Sequence, residues 1–327
     1  MGEAYVAVSH DANACLYNPA GLTELKIAGA ALSYKNAFNL MNATVLHATG
    51  AVAVSSKFAF GFDFQFNKLG ARYCTSESGY MTDQKNLTGN YAVGISAARK
   101  LNQYLAFGVT ARFIRSELNL SHKDYTSRNM NFDFALMLRR LFSGATIAGR
   151  NPEYSEILPL IRHRLPPGLS IGLCITNMGP AISYSGSLMK DPQPQTFRLG
   201  CAFTVFDTDA LGLIAALDAE KLLAGRDDSG NPIAFYKALG SAWTDRSFIY
   251  ELREMTYHLG IEATLFYFSA FRFGLIYDEI GRYKTFTFGL GLGSETVRIN
   301  VAFLPGTLDS DYAPRDMEWY VSFSSAF

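Results

Sequence analysis

Tyr257-His258-Leu259-Gly260-Ile261-Glu262-Ala263-Thr264-Leu265 is two sequences interleaved. Tyr257, Leu259, Ile261, Ala263 and Leu265 make one apolar set; His258, Gly260, Glu262 and Thr264 make a small or polar one. A period of two sends successive side chains to opposite faces of a strand. The pattern recurs to the end of the chain. Phe271, Phe273, Leu275 and Tyr277 alternate with Arg272, Gly274 and Asp278, and Phe286, Phe288, Leu290 and Leu292 alternate with threonines and glycines. Val297, Ile299, Val301 and Phe303 follow, then Trp319, Val321 and Phe323, leading to Phe327. Each run is about ten residues, the length of a tilted strand that crosses a bilayer. One dry face and one wet face at that length predict an all-β, transmembrane antiparallel β-barrel.

Working back from this end, the same alternation is clearest at 57–67, where Phe58, Phe60, Phe62, Phe64 and Phe66 oppose Ala59, Gly61, Asp63, Gln65 and Asn67. Further candidate strands are 26–35, 45–55, 90–100, 104–118, 128–140, 168–178, 195–206 and 210–222. With the five terminal runs the reading gives about 14 strands. Connection lengths agree with it. The links at 55–57, 101–104, 206–210, 266–270 and 294–296 are short, as periplasmic turns are; those at 68–89, 179–195, 223–256 and 305–316 are long, as outer loops are. The segment 141–168 breaks the rule, because a short turn is expected there. It carries Arg150, Glu153, Glu156, Arg162, His163 and Arg164, a possible short amphipathic helix at 154–161, and Pro166-Pro167-Gly168 before the next strand. A tolerated insertion and a periplasmic docking element both fit.

Composition supports a sheet in lipid. The 327 residues are 49% hydrophobic and 14% aromatic, with 25 Phe and 18 Tyr, and only 18% charged. The formal net charge is zero, so a nucleic-acid partner has no electrostatic support. Cys15, Cys74, Cys174 and Cys201 show no metal spacing. Cys174 falls on an inward face and Cys201 on an outward one, so these two are expected to be free thiols. No apolar run reaches the ~18 residues of a membrane helix. The chain opens at Met1-Gly2-Glu3 without a signal peptide. A barrel of the outer membrane must be exported, so the start is expected to be trimmed.

Residues 1–25 are the least strand-like and are read as a plug, with 26–327 as the barrel. Asp11 is placed to cap a short helix over 12–17, which Asn18-Pro19-Ala20-Gly21 would end, Pro19 by blocking it and Gly21 by tolerating a positive φ. Met1 to Val8, followed by Asp11-Ala12-Asn13-Ala14 and Tyr17-Asn18-Pro19-Ala20-Gly21-Leu22, resembles the mature N-terminal segment of FadL-like outer-membrane proteins, most closely the PorV branch of the type IX secretion system. Ile175-Thr176-Asn177-Met178-Gly179, Leu217-Asp218-Ala219-Glu220-Lys221-Leu222 and Glu251-Leu252-Arg253-Glu254-Met255-Thr256 extend the likeness. The resemblance implies a segment of 1–25, with Asp11, Asn13, Asn18, Pro19 and Gly21, that folds into the lumen. It implies a barrel that takes up secreted cargo through a C-terminal β-sandwich signal domain. The cargo then passes from a large translocon to a surface attachment complex, without a cofactor. A FadL-like transporter of hydrophobic small molecules is the alternative, and a soluble β-sheet enzyme is a third class.

The inward-facing charges Asp63, Arg112, Asp133, Arg139, Arg198, Asp218, Glu262, Arg272 and Arg298 carry both signs. They suit ion pairs that hold a plug better than a selectivity filter, which concentrates one sign. The predominance of small, polar and charged residues on these faces argues mildly against an apolar pocket. Trp319, Val321, Phe323 and Phe327 form a candidate barrel-insertion signal. Gly289-Leu290-Gly291-Leu292-Gly293 lacks the strand–turn–helix context of a nucleotide loop. His10, His47, His122, His163 and His258 show no paired metal spacing, and no nucleophile elbow is present, so no catalytic or metal site is expected.

Overall fold

The computed structural model describes residues 1–37, 43–75, 81–117, 126–149, 165–184, 190–266, 268–294, 296–306 and 317–326. Fourteen antiparallel strands close into a barrel. In chain order these are β1 Ala28–Ala37, β2 Ala43–Ala53, β3 Phe58–Thr75, β4 Met81–Lys100, β5 Leu105–Glu117, β6 Thr126–Leu141 and β7 Gly168–Met178. They continue as β8 Thr196–Thr208, β9 Leu211–Leu222, β10 Thr256–Leu265, β11 Ser269–Asp278, β12 Tyr283–Gly293, β13 Val297–Leu304 and β14 Glu318–Ala326. Each strand pairs with its chain neighbours, and β14 pairs with β1 from Gly29↔Ala326 to Asn36↔Trp319, which removes the free edges.

Register follows from the alternation. Phe62 and Ile95 face each other across β3 and β4 and are 49% and 66% exposed, whereas their neighbour Asp63 is fully buried. The belt of exposed Phe, Leu, Ile and Val runs through most of the strands, and among the described residues no helix is long and apolar enough to cross a membrane. An outward surface of this kind is dry only in lipid. Tyr34 and Trp319 meet at 5.4 Å on the outward rim of β1 and β14, the position of an aromatic girdle. Trp319, Val321 and Phe323 face outward on β14, and Phe327 lies outside the described residues.

Three expectations need correction. The stretch 68–89 is not simply a loop, since β3 runs to Thr75 and β4 starts at Met81 with paired backbones between. Their pairing continues to Thr75↔Met81, with register shifts between Leu69 and Arg72 and between Tyr73 and Thr75. The insertion 141–168 includes a short strand, Ile147–Gly149, parallel to the end of β8. There the Thr146 hydroxyl donates to Thr204 O and accepts from Gly168 N, closing the insertion onto the barrel end. Arg150, Glu153, Glu156, Arg162, His163, Arg164 and the helix expected at 154–161 lie outside the described residues. The third concerns the Asn18–Gly21 turn. Asn18 accepts from Ala20 N and caps a 3-10 helix, Pro19–Glu24, so the proline starts an element instead of only ending one. Gly21 has no positive φ; a Cβ there would collide with the Ser9 backbone, so close approach is what requires glycine.

Ile95→Arg places a charge near the middle of the outward belt and is expected to cost about 2–4 kcal/mol. Equilibrium unfolding in lipid vesicles measures it, and an unchanged midpoint would exclude a lipid-facing position for Ile95.

Candidate functional site

The N-terminal segment follows the inner wall of the barrel. Its first residues lie over β10 to β12: Gly2 N donates to the Thr287 hydroxyl at 2.8 Å, and the His258 Nδ1–H donates to Gly2 O at 2.8 Å. Next, the Tyr5 and Val6 amides both donate to one carboxylate oxygen of Asp218 on β9, at 2.8 and 2.9 Å. Arg139 of β6 donates to Ser9 O. Helix α1, Ala14–Tyr17, packs against β3 and β4, and the 3-10 helix covers β3 to β6 before the chain enters β1. Asn18 ties two turns of this path together, since its amide donates to Val6 O at 2.9 Å and to Leu136 O on the wall at 3.3 Å.

So close a path needs a thin wall. Built Cβ atoms on Gly172 and Gly260 would lie 2.5 Å from Val6 O and Met1 O, and on Gly108 one would strike the Ala20 backbone. Glycine admits the backbone at these points. Elsewhere the wall is alanine: Ala12, Ala14, Cys15, Leu22 and Leu25 pack on Ala51, Ala59 and Ala98, and Val6 and Ala20 on Ala106 and Ala135.

The strongest electrostatic anchor is Arg112 on β5. Its Nε donates to Asp63 Oδ1 at 3.1 Å, Nη1 to Asp133 Oδ2 at 2.8 Å, and Nη2 to Cys15 O at 3.2 Å. All three side chains are buried. The other Asp133 oxygen accepts from Asn177 N. Asp11 does not cap α1; it accepts from Asn13 N at 2.8 Å, and Asn13 in turn accepts from the Thr49 hydroxyl. The Cys15 thiol beside this cluster is pushed up to about 12, by burial first and by Asp63 second. At the short-turn end Glu24 pairs with Lys100 and Arg140; burial works to raise its pKa, but Arg139, Lys100 and Arg140 outweigh it and hold it below its ordinary value.

Of the nine charges singled out in the sequence, four hold the segment directly or through Arg112: Asp63, Arg112, Asp133 and Asp218. Arg139 makes a fifth contact. Arg198 pairs with Glu220, and Glu262 with Arg272, which also donates to Asn300 at 2.8 Å. Arg298 faces the cavity described below. The sequence reading missed Glu220, which joins Arg198 to His258, and Lys35, which pairs with Glu318 at 2.8 Å over the Tyr320 ring. Both lie on the inward period of their strands, so alternation marked them. Cys15 and Cys174 are buried free thiols and Cys201 is a partly buried one. Among the described residues no group of three His, Cys, Asp or Glu is arranged to hold a metal.

Because the segment runs along the wall, a cavity of ≈380 Å³ remains beside it in the lumen. It extends from Lys35, His47 and Tyr320 in the long-loop half to Leu165, Phe206 and Thr264 at the short-turn end. Its barrel wall is mostly small and polar, with Ser33, Thr287, Asn300 and Ser322. Its apolar lining comes from both sides: Val8, Ala12 and Leu16 of the segment, and Val45, Phe206, Ile214, Phe288 and Leu304 of the strands, with Leu165. Tyr5 and Tyr17 meet edge to face at 5.0 Å beside it. The cavity is therefore not uniformly polar, because the plug and a few large strand residues add apolar surface to the small polar ones.

No family model matches the chain, and no curated protein sequence matches it. Solved structures match its whole length. The toluene transporter TbuX of Ralstonia pickettii and the toluene transporter TodX of Pseudomonas putida each give a TM-score of 0.58 at 12% identity, covering 100% of this chain and 98% of theirs. A FadL homologue of Pseudomonas aeruginosa gives 0.54 at 10% identity, covering 99% and 95%. The fold is thus that of the FadL-like outer-membrane barrels; these likenesses carry nothing specific to the PorV branch.

Arg112→Met leaves Asp63 and Asp133 buried without a counter-charge, a loss of about 3–5 kcal/mol. The segment should then leave the wall, and alkylation of Cys15 at pH 8, followed peptide by peptide, should appear where the wild type resists it. Continued protection of Cys15 would show that the segment is held without Arg112.

Proposed function

We propose that the barrel conducts hydrophobic small molecules through the passage between its N-terminal segment and the β10–β14 and β1–β2 wall. The observation that carries the reading is the ≈380 Å³ cavity with an apolar lining that includes Val8, Ala12 and Leu16. That volume lies within the ~300–1,000 Å³ of small-molecule sites, and a mostly apolar lining with a few placed polar groups is their usual composition. Charged groups on the wall are largely paired, as with Lys35–Glu318 and Glu262–Arg272, so they present hydrogen-bonding edges more than a field of one sign. The similar barrels TbuX and TodX are toluene transporters, which supports the same substrate class here. On this reading the chain does no chemistry and needs no cofactor.

Ala302→Trp tests it by filling the cavity from β13. Purified wild-type protein should bind toluene or oleate by calorimetry and admit it into proteoliposomes. The variant, with its barrel intact by heat-shifted gel mobility, should bind at least tenfold more weakly. Equal binding by both, or none by the wild type, would sink the reading.

A second reading rests on a different observation. Among the described residues, β3 past Lys68 and β4 past Gly89 pair only with each other. Strands of 18 and 20 residues exceed the ~9–11 that cross a bilayer, so this hairpin projects at the long-loop end. A projecting hairpin suits a partner that is itself a β-sandwich. This favours the PorV-like role, in which cargo is taken up by its C-terminal signal domain and handed from a translocon to a surface attachment complex. Removing residues 70–87 should abolish co-purification of such cargo from solubilised membranes while toluene binding persists; undiminished recovery would rule the hairpin out.

A further inference from the structure

The connection from β9 to β10 does not stand up from the barrel mouth; it folds down over the outside. Asp218 points inward, where it holds Tyr5 and Val6, and Glu220 points inward to Arg198 and His258. Lys221 therefore points outward, in register with Phe197 of β8. Yet Lys221 is only 3% exposed. Its ammonium meets Glu251 Oε2 at 2.5 Å and Glu254 Oε2 at 3.0 Å, 5.5 Å from the Trp243 ring, and Trp243 packs edge-on against Phe197. Glu251 is 1% exposed.

Two more contacts fix the connection at the same level. Tyr257 shares the outward face with Ala219 and Tyr277, and its hydroxyl donates to Leu252 O at 2.8 Å. Arg253 pairs with Glu279 in the β11–β12 turn. Two helices lie in this flap, α2 Phe235–Ser241 and α3 Phe248–Arg253. With Glu251 and Glu254 turned to Lys221, helical spacing puts Phe248, Ile249 and Leu252 together on the side turned away from it. Phe248 and Ile249 are 74% and 72% exposed, and Tyr236 on α2 is also exposed.

We propose that this stripe is seated in the bilayer: α3 and Tyr236 lie at the headgroup–acyl boundary of the leaflet at the long-loop end, against the outside of β8–β10. Lipid is the occupant because the stripe lies on the same outer side of the barrel as the exposed, paired Leu217 and Leu259 of the lipid-facing belt. The paired Lys221 sets the depth. An ammonium on the outward wall is costly below the headgroups, and two carboxylates and an indole shield it where it stands. From Lys221 down to Leu217 is four residues, roughly 13 Å of strand, which puts Leu217 in hydrocarbon when Lys221 is at the boundary. Trp243, Tyr257 and Tyr277 lie at the same level, as interfacial aromatics do. The inference stands whether the barrel conducts apolar molecules or hands over cargo.

The test uses the full chain with Ile249→Cys in a Cys74→Ser, Cys201→Ser background, labelled with the fluorophore NBD and reconstituted in phosphatidylcholine–phosphatidylglycerol vesicles. Label at 249 should emit to the blue of an aqueous control at Ser229→Cys. Spin labels on the headgroup or at acyl carbon 5 should quench it at least twofold, and those at carbon 12 should quench it less. Adding Lys221→Met and Glu251→Gln, with heat-shifted gel mobility unchanged, should release the flap and reduce the quenching. Aqueous emission at 249 without quenching by any lipid would overturn the proposal and mark the stripe as a surface for another protein.

Discussion

Arg112 sits inside the barrel wall with its guanidinium shared between Asp63 on β3, Asp133 on β6 and the carbonyl of Cys15 in the N-terminal segment. None of these charges is tolerable there alone, since removing a buried partner costs several times what an exposed pair is worth. Three strands and the plug are thereby joined at one point. Asp218 repeats the arrangement on the far wall, with two backbone amides in place of a guanidinium. The two anchors fix the segment along the inner wall.

The shape of the passage follows from that fixing. A segment lying across the middle would leave two narrow gaps, whereas one laid along the wall leaves a single wider cavity. Glycine and alanine on the strands behind it are the other half of the arrangement, because larger side chains would push the segment inward. Both the segment and the strands turn apolar and polar residues to the cavity, Val8 and Leu16 beside Asp11 and Asn13 on the one, Phe206 and Phe288 beside Ser33 and Asn300 on the other.

The outside of the barrel shows the same economy of charge. Lys221 and Glu251 are as buried as Asp63 and Arg112, but on the opposite face and under a loop. Two stretches that resemble the PorV branch, 217–222 and 251–256, meet through this contact. The long hairpin and the clamped flap are separate devices at the same end of the molecule. One projects beyond the rim, and the other is pressed against it.

Strand number, direction and facing were legible in the chain because a barrel wall is a local structure with a period of two. Phe58 to Phe66 and Tyr257 to Leu265 state which face is dry without reference to any other residue. The inward side of Asp63, Arg112 and Asp218 came from the same rule. Where a residue's meaning depended on a distant partner, the sequence was silent or misleading. Gly21 is small because Ser9 lies against it, Glu251 is buried because Lys221 needs a counter-charge, and β3 outlasts its expected end because β4 continues beside it. The apolar passage was hidden for the same reason. Alternation describes one strand at a time, and the cavity exists only once residues 1–25 are laid against a wall more than a hundred residues away in the chain, by interactions that no periodicity records.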